Sequence, residues 1–302
     1  MIDKKILAFM VLFTFVFNFP AFAAPPLPPA SIEGPGGIFI TPVAYLINPA
    51  PDGKPFGLPT IGTIYTSLRE KDFFAATFAE TLFGRLELSY AFNNLQLGAF
   101  RRDVKRATGL DTDCNHVQLH HFNLRANLIP ENAFGQKWLP AVTAGAHYKY
   151  NSRVDSINHR LGGVLKDIGV EDNDGMDYTL FATKMIDNLL LPRPLLLTAG
   201  VRWSKACHLG LLGFSEHYEV LGEFSVAQFL TDNIILSGEF RMKPDELDEL
   251  AGLIEEEDDW WALGLAYIIN THMTMSVGWL NAGQVLNEHV NNGLACRLMF
   301  EF

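Results

Sequence analysis

Beyond its N-terminus, this sequence of 302 residues contains no long run of apolar residues. A helix that spans a membrane needs about 18 or more consecutive apolar residues, so the sequence predicts no helical spans there. The chain is nevertheless 48% hydrophobic and only 19% charged, which excludes disorder by composition. Its apolar residues are therefore dispersed, either around a soluble core or along strands whose side chains alternate.

Basic residues and cysteines are also few. The chain has 23 lysines and arginines against 34 acidic residues, for a formal net charge of −11. Proteins that bind nucleic acid cluster lysine and arginine on one surface, so we predict no nucleic-acid partner. The three cysteines are an odd number, which leaves at least one unpaired within the chain.

The one extended apolar stretch lies at the N-terminus. Residues 6–19 follow Lys4 and Lys5 and precede an Ala-x-Ala sequence at residues 21–23. This order is typical of a secretory signal peptide, so we predict that residues 1–23 are cleaved during export. The alternative is an uncleaved membrane anchor.

The C-terminal residues alternate strictly between apolar and mixed positions. The apolar set is Leu294, Cys296, Leu298, Phe300 and Phe302, and the set between them is Ala295, Arg297, Met299 and Glu301. A strand with one apolar and one polar face suits a position between lipid and a wet lumen. Outer-membrane barrels commonly end on an aromatic residue, so we predict that Phe300 and Phe302 form the signal for the barrel-assembly machinery.

The same alternation recurs upstream and predicts about twelve strands, with ten to fourteen as the range. One of these strands is predicted near Tyr178–Met185. Counted back from the C-terminus, the predicted connections alternate between short and long. Outer-membrane barrels have short periplasmic turns and long outer loops. We therefore predict an all-β fold, an antiparallel transmembrane β-barrel over residues 59–302.

Residues 24–58 form a separate N-terminal segment rich in proline and glycine. Gly36 and Gly37 precede Thr41 and Pro42, a pattern that indicates special backbone angles around a short extended piece. This segment is either a first strand or a partial plug of the lumen, and the sequence does not choose between them.

Several short motifs resemble an uncharacterised proteobacterial outer-membrane protein family, domain of unknown function 3034. They are Glu33-Gly34-x-Gly36-Gly37 with Thr41-Pro42, Trp138-Leu139-Pro140, Gly145-Ala146-x-Tyr148-Lys149, Asp174-Gly175-x-Asp177-Tyr178, Gly210-Leu211-Leu212-Gly213-Phe214 and Arg241-x-Lys243-Pro244. The chain departs from the family in its bulkier residues 38–40 and its more acidic loop after Pro244. The resemblance implies an outer-membrane barrel and supplies no catalytic residues.

Charged residues fall on the predicted inner face of the strands. Five are acidic and five are basic: Glu87, Arg125, Lys149, Arg202, Glu219, Glu223, Glu239, Arg241, Arg297 and Glu301. They line either a polar channel that selects solutes by charge or a lumen filled by ion pairs across the strands.

Three features fall on predicted outer loops. Cys114 and Cys207 predict a disulfide in an oxidising compartment, with a Cys/His metal site as the weaker alternative. The acidic loop 245–259 has Leu247, Leu250 and Ile254 at helical spacing, which favours a solvated surface helix over a cation site. A hydrolase would draw on one polar cluster, which consists of Ser152, Asp155, Ser156, Asn158 and His159.

These observations together predict a protein of the bacterial outer membrane, in contact with its lipid. The favoured function is a narrow porin-like channel for small polar solutes. The alternatives are a closed structural or surface-display barrel with a filled lumen, and an outer-membrane hydrolase. No catalytic motif, metal site or cofactor is predicted.

Overall fold

The computed structural model describes residues 28–50, 53–250 and 252–302. The predicted signal peptide lies outside the described residues. Twelve of the fourteen described strands close into one antiparallel barrel. The strands are β1 Thr60–Leu68, β2 Lys71–Leu82, β3 Leu86–Gln96, β4 His116–Ile129, β5 Ala141–Asn151, β6 Asp174–Ile186, β7 Leu195–Ala206, β8 Phe214–Phe229, β9 Ile234–Arg241, β10 Trp260–Ile268, β11 Met273–Asn281, β12 Gly283–Val285, β13 Glu288–Val290 and β14 Gly293–Glu301.

Each wall strand pairs with its neighbour along the chain, and the barrel closes where β1 pairs with β14. The closing register runs from Thr60 opposite Glu301 to Ser67 opposite Leu294. The short strands β12 and β13 pair only with each other, so β11 and β14 are neighbours in the wall. The prediction of an antiparallel barrel of about twelve strands is confirmed.

The wall is apolar on the outside and polar on the inside. Along β14, for example, Leu294 is 45% exposed on the outer face, whereas Arg297 is 2% exposed on the inner face. Phe122, Val201 and Phe224 are exposed outward on other strands. This distribution is the reverse of a soluble barrel and is that of a barrel embedded in lipid. Among the described residues, no helix has the length and hydropathy to cross a bilayer.

Connections at the two ends of the barrel differ in length. At the short-turn end, the turns include residues 83–85, 230–233 and 269–272. At the long-loop end, the described loop residues form three α-helices and one hairpin, which are α1 Phe100–Thr108, α2 Val154–Arg160, α3 Val164–Asp167 and β12–β13. The connection between β1 and β2 is the exception at this end, because it consists of residues 69–70 only.

The long loops pack against one another in an apolar layer, called the loop cap here. It consists of the loops at residues 97–115, 152–173, 207–213, 243–259 and 282–292. The predicted helix in the acidic loop is wrong, because the described residues of 243–259 contain no helix. Leu250 and Ile254 instead form an isolated bridge, and Ile254 is buried in the loop cap. The leucines that produce helical spacing thus serve packing between loops.

Candidate functional site: the filled lumen

The interior of the barrel is occupied by the chain's own N-terminal segment, residues 28–47, called the luminal segment here. All of its residues are buried except Ile38 and Tyr45, which are half-buried. It folds back on itself through isolated bridges that join Ala30 to Gly36 and Gly37 to Pro42. It is not a strand of the wall, which begins with β1 at Thr60.

The turn at residues 39–41 is held by one carboxylate of the wall, that of Glu239 on β9. The backbone N–H groups of Phe39 and Ile40 donate to it at 3.0 Å, and that of Thr41 at 2.9 Å. The Thr41 hydroxyl donates a fourth hydrogen bond at 2.9 Å. Hydrogen bonds to an ionised acceptor are about twice as strong as neutral ones, so Glu239 is a major anchor of the segment.

A second anchor is the ion pair between Glu87 on β3 and Arg125 on β4. The guanidinium donates to both carboxylate oxygens, at 2.9 and 2.7 Å. Arg125 also donates to the carbonyl of Val43 at 2.6 Å. Glu87 in turn accepts the N–H of Ile47 at 2.8 Å. Both partners of this pair therefore bind the luminal segment while they neutralise each other.

Glu33 is the only charged side chain of the luminal segment, and it enters a cluster of wall charges. Its carboxylate lies 2.6 Å from Lys149 Nζ, 3.1 Å from Arg202 Nη2 and 2.5 Å from Arg241 Nη1. Asp177 completes the cluster on one side, 2.6 Å from Lys149 and 3.0 Å from Arg202.

Glu223 completes the cluster on the other side, 2.5 Å from Arg202. The cluster then has three acids and three bases, and all six side chains are at most 3% exposed. Removing one partner of such a buried group costs about 3–5 kcal/mol, because an uncompensated charge stays behind. Glu33 therefore fixes the luminal segment in place and balances the charge of the wall.

A further contact comes from Arg297 on the closing strand β14. Its guanidinium donates to the carbonyl of Ala30 at 3.1 Å and also to that of Ile38. The guanidinium carbon lies 4.6 Å from the centre of the Phe39 ring, within range of a cation–π interaction. Wall residues from β3 round to β14 thus bind the segment on opposite sides.

Nine of the ten charged residues predicted on the inner face are buried there. Glu219 is half-buried near the long-loop end of β8, and Glu301 lies at the short-turn end of β14. Seven of the ten contact the luminal segment directly, and these are Glu87, Arg125, Lys149, Arg202, Glu239, Arg241 and Arg297. Glu223 joins the charge cluster through its ion pair with Arg202.

Several polar residues of the lumen were not predicted from the sequence, among them Asp177, Glu33, His121 and His147. Asp177 lies inside β6, which begins at Asp174 rather than at Tyr178 as predicted. Glu33 begins the motif Glu33-Gly34-x-Gly36-Gly37, but no pattern in the sequence indicates that it lies beside residues of the wall. His121 and His147 are buried on the same inward faces as Arg125 and Lys149, so the two-residue period contained the signal for them.

The predicted disulfide is absent, because Cys114 and Cys207 are both free thiols. Cys207 is buried in the turn that follows β7, and Cys114 packs against the apolar loop cap. Burial raises the pKa of the Cys207 thiol, which keeps it in the protonated form. Cys296 is free and half-buried on the lipid-facing side of β14.

The polar cluster suggested for a hydrolase lies on α2 and next to it. Asp155 accepts a hydrogen bond from Asn173, and the Asn158 side chain accepts one from the N–H of Leu165. Among the hydrogen bonds of the described residues, none joins His159 to Ser152 or Ser156. These contacts order the loop and do not form a nucleophile–base pair.

The aromatic C-terminus lies at the short-turn end of the barrel. The rings of Phe300 and Phe302 meet edge to face with centroids 5.0 Å apart. Phe302 is 52% exposed, and its N–H donates to the carbonyl of Pro59 at the start of the wall.

Comparison with known sequences gives a family but no activity. A family model described as "protein of unknown function (DUF3034)" matches residues 29–297. The chain belongs to the DUF3034 family. The match covers the luminal segment together with the barrel, so both parts are features of the DUF3034 sequence pattern. A comparison with curated proteins finds no significant match.

Among solved structures, the chain is similar to several barrels. The KdgM porin matches with a TM-score of 0.48 and 7% identity, over 80% of this chain and 99% of the porin. LpxR from Salmonella typhimurium matches with a TM-score of 0.46 and 11% identity, over 80% of this chain and 100% of LpxR. Omp33 from Acinetobacter baumannii matches with a TM-score of 0.43 and 10% identity, over 81% of this chain and 98% of Omp33. At these scores and identities, the matches transfer no function to a DUF3034 protein.

Proposed function

We propose that this DUF3034 protein is a bacterial outer-membrane barrel that its own N-terminal segment keeps closed, with the loop cap facing the outside of the cell. The observation that carries the proposal is the luminal segment, whose backbone is bound by Glu87, Arg125, Glu239 and Arg297 from separate strands. An open pore needs water along its axis, whereas here protein atoms fill the middle of the lumen. The apolar outer face and the polar inner face support the location in a membrane.

The channel function predicted from the lumen charges becomes the second candidate, in a gated form. The luminal segment is held mainly by hydrogen bonds and ion pairs, and water can take the place of the segment's polar groups if the segment moves. Residues 53–58 tie the segment to the short-turn end, where the N–H of Gly57 donates to the carbonyl of Thr81. In this candidate, small polar solutes pass only after the segment withdraws towards that end.

We also propose, from the sequence, that the chain is exported with cleavage after Ala23. The barrel-assembly machinery then recognises the C-terminal residues Phe300 and Phe302. A hydrolase is the least favoured function, since His159 is exposed and has no serine partner among the described hydrogen bonds.

Planar-bilayer recording on the refolded mature chain tests the closed state. The unmodified protein should give no steady conductance, whereas a variant that lacks residues 28–47 should open. If this deletion prevents folding, Glu239→Ala replaces it, with Glu301→Ala as the control because the Glu301 side chain makes no hydrogen bond to the luminal segment among the described residues. Steady openings from the unmodified protein would contradict closure, and equal openings from both alanine variants would contradict the role of the luminal segment.

A further inference from the structure

Five neighbouring strands, β5 to β9, each contribute one charged side chain to the charge cluster in the lumen, and the signs alternate around the wall. In strand order these residues, called the charged arc here, are Lys149, Asp177, Arg202, Glu223 and Arg241. All five are at most 2% exposed. The arc alone holds three bases and two acids, which leaves an excess of one positive charge. Because an uncompensated buried charge strongly destabilises a protein, the arc needs one further anion.

Glu33 supplies this anion, but it belongs to the luminal segment and not to the wall. Its Oε1 atom lies 2.6 Å from Nζ of Lys149, and its Oε2 atom lies 3.1 Å from Nη2 of Arg202 and 2.5 Å from Nη1 of Arg241. Each carboxylate oxygen thus has basic partners of its own. Since Glu33 is the only charged side chain of the segment, withdrawal of the segment would remove the anion and leave the three bases in place.

The charge and the shape of the arc select one class of small anion. One excess positive charge calls for a monoanion, whereas a phosphate group carries about −1.5 to −2 charges at pH 7 and exceeds that balance. Bases from three strands meet two separate oxygen atoms, so chloride, which is a single centre, contacts them less well. Guanidinium groups match a carboxylate in geometry. A carboxylate on a small body therefore fits the place of the Glu33 side chain.

We propose that the charged arc is a binding site for small monocarboxylates and that Glu33 is its tethered ligand in the closed barrel. A free monocarboxylate takes the place of the Glu33 carboxylate when the luminal segment withdraws, so this proposal rests on the gated function above and assigns its class of solute. A solute that binds only the withdrawn state increases the population of that state.

The substitution Glu33→Ala tests the site itself, because the atoms that it removes beyond Cβ are those of an acetate ion. In urea titrations of this variant in micelles, acetate at about ten times its Kd should lower the equilibrium constant of unfolding about tenfold. Acetamide, which has the same size without the charge, should have no such effect, nor should sodium chloride at the same ionic strength. Glu301→Ala is the control variant, which acetate should not stabilise, since Glu301 is a buried carboxyl group of the wall that forms no ion pair with another described residue.

A variant with a balanced arc covers the case in which Glu33→Ala does not fold. Glu33→Ala combined with Arg241→Gln removes one acid and one base, so two bases and two acids remain. This protein should fold without acetate, and acetate should not stabilise it. If Glu33→Ala alone folds only when acetate is present, the yield of folded protein against acetate concentration replaces the urea titration.

Amide hydrogen exchange of the unmodified protein tests the competition between solute and segment. Acetate at the same multiple of its Kd should speed the exchange of residues 30–47 about tenfold, because it binds only after Glu33 has left, and acetamide should not. The proposal is overturned if acetate, acetamide and chloride act alike on Glu33→Ala, or if acetate leaves exchange in the unmodified protein unchanged. Absence of conductance in acetate, with both responses present, would contradict the gated function alone.

Discussion

The substitution Glu239→Gln gives the sharpest test of how the luminal segment is held. The carboxylate accepts four hydrogen bonds from residues 39–41, three of them at Oε2. A glutamine can keep its oxygen at that position, but its amide nitrogen then faces the N–H of Phe39, so one hydrogen bond is lost. A hydrogen bond to a charged group contributes about 1.5–3 kcal/mol, and the remaining three weaken when the charge is removed.

The expected loss is therefore about 2–5 kcal/mol in the free energy that opens the turn at residues 39–41. This corresponds to an increase of roughly 30- to 4,000-fold in the population of the open turn. Amide hydrogen exchange of residues 39–41, measured on folded protein in micelles, reports this population directly. Glu301→Gln is the matched control, since it makes the same change at a buried carboxyl group of the wall that does not hold the turn. Unchanged exchange at residues 39–41 in folded Glu239→Gln would refute the reasoning.

Three further predictions concern other contacts. Glu33→Gln should lower the free energy of unfolding by about 3–5 kcal/mol, because Lys149, Arg202 and Arg241 keep their charges with one acid fewer. Urea titration measures this loss, and Asp111→Asn, at a partly exposed ion pair on a loop, should have little effect. Acidification from about pH 6.5 to about pH 4 should destabilise the 207–213 turn by about 3 kcal/mol, because His208 is protonated in the unfolded turn over this range but stays neutral in the folded one. Amide hydrogen exchange in the turn should show this loss of stability, and His208→Gln should abolish the pH dependence. Gly278→Ala places a Cβ 2.9 Å from the Phe39 ring and should cost about 1–3 kcal/mol in thermal or urea unfolding, whereas Gly238→Ala, with 3.6 Å to its nearest neighbours, should cost less.

The barrel itself could be predicted because its signal is local and repeated. Each strand shows a two-residue period, as in the alternation of Leu294 and Cys296 with Ala295 and Arg297. Lipid outside and a polar interior enforce this period on every strand, so an error in one strand boundary does not change the predicted number of strands. The predicted start of β6, for instance, was four residues late, so Asp177 was missed although the strand itself was predicted.

The contents of the lumen could not be predicted in the same way. Glycine and proline at residues 34–42 indicate a tight fold, but the partners that hold it, such as Glu239 and Arg297, are distant in sequence. Isolated charges on alternating strands look the same whether they line water or bind a segment of chain. Choosing between these two states requires the three-dimensional position of residues 28–47.

The loop predictions failed for a related reason. Leu247, Leu250 and Ile254 have helical spacing, yet in the structure they contribute to an apolar layer built from five loops. Cys114 and Cys207 lie on two different loops, and the prediction that they pair rested on the compartment rather than on a geometry. Spacing within one loop carries no information about which other loop will cover it.

Amide hydrogen exchange over residues 30–47 of the unmodified protein tests the central claim most directly. If the luminal segment fills the barrel as described, these amides should be protected to a degree comparable with those of the wall strands. Exchange within seconds, as expected for a free N-terminal tail, would contradict the account and favour an open lumen.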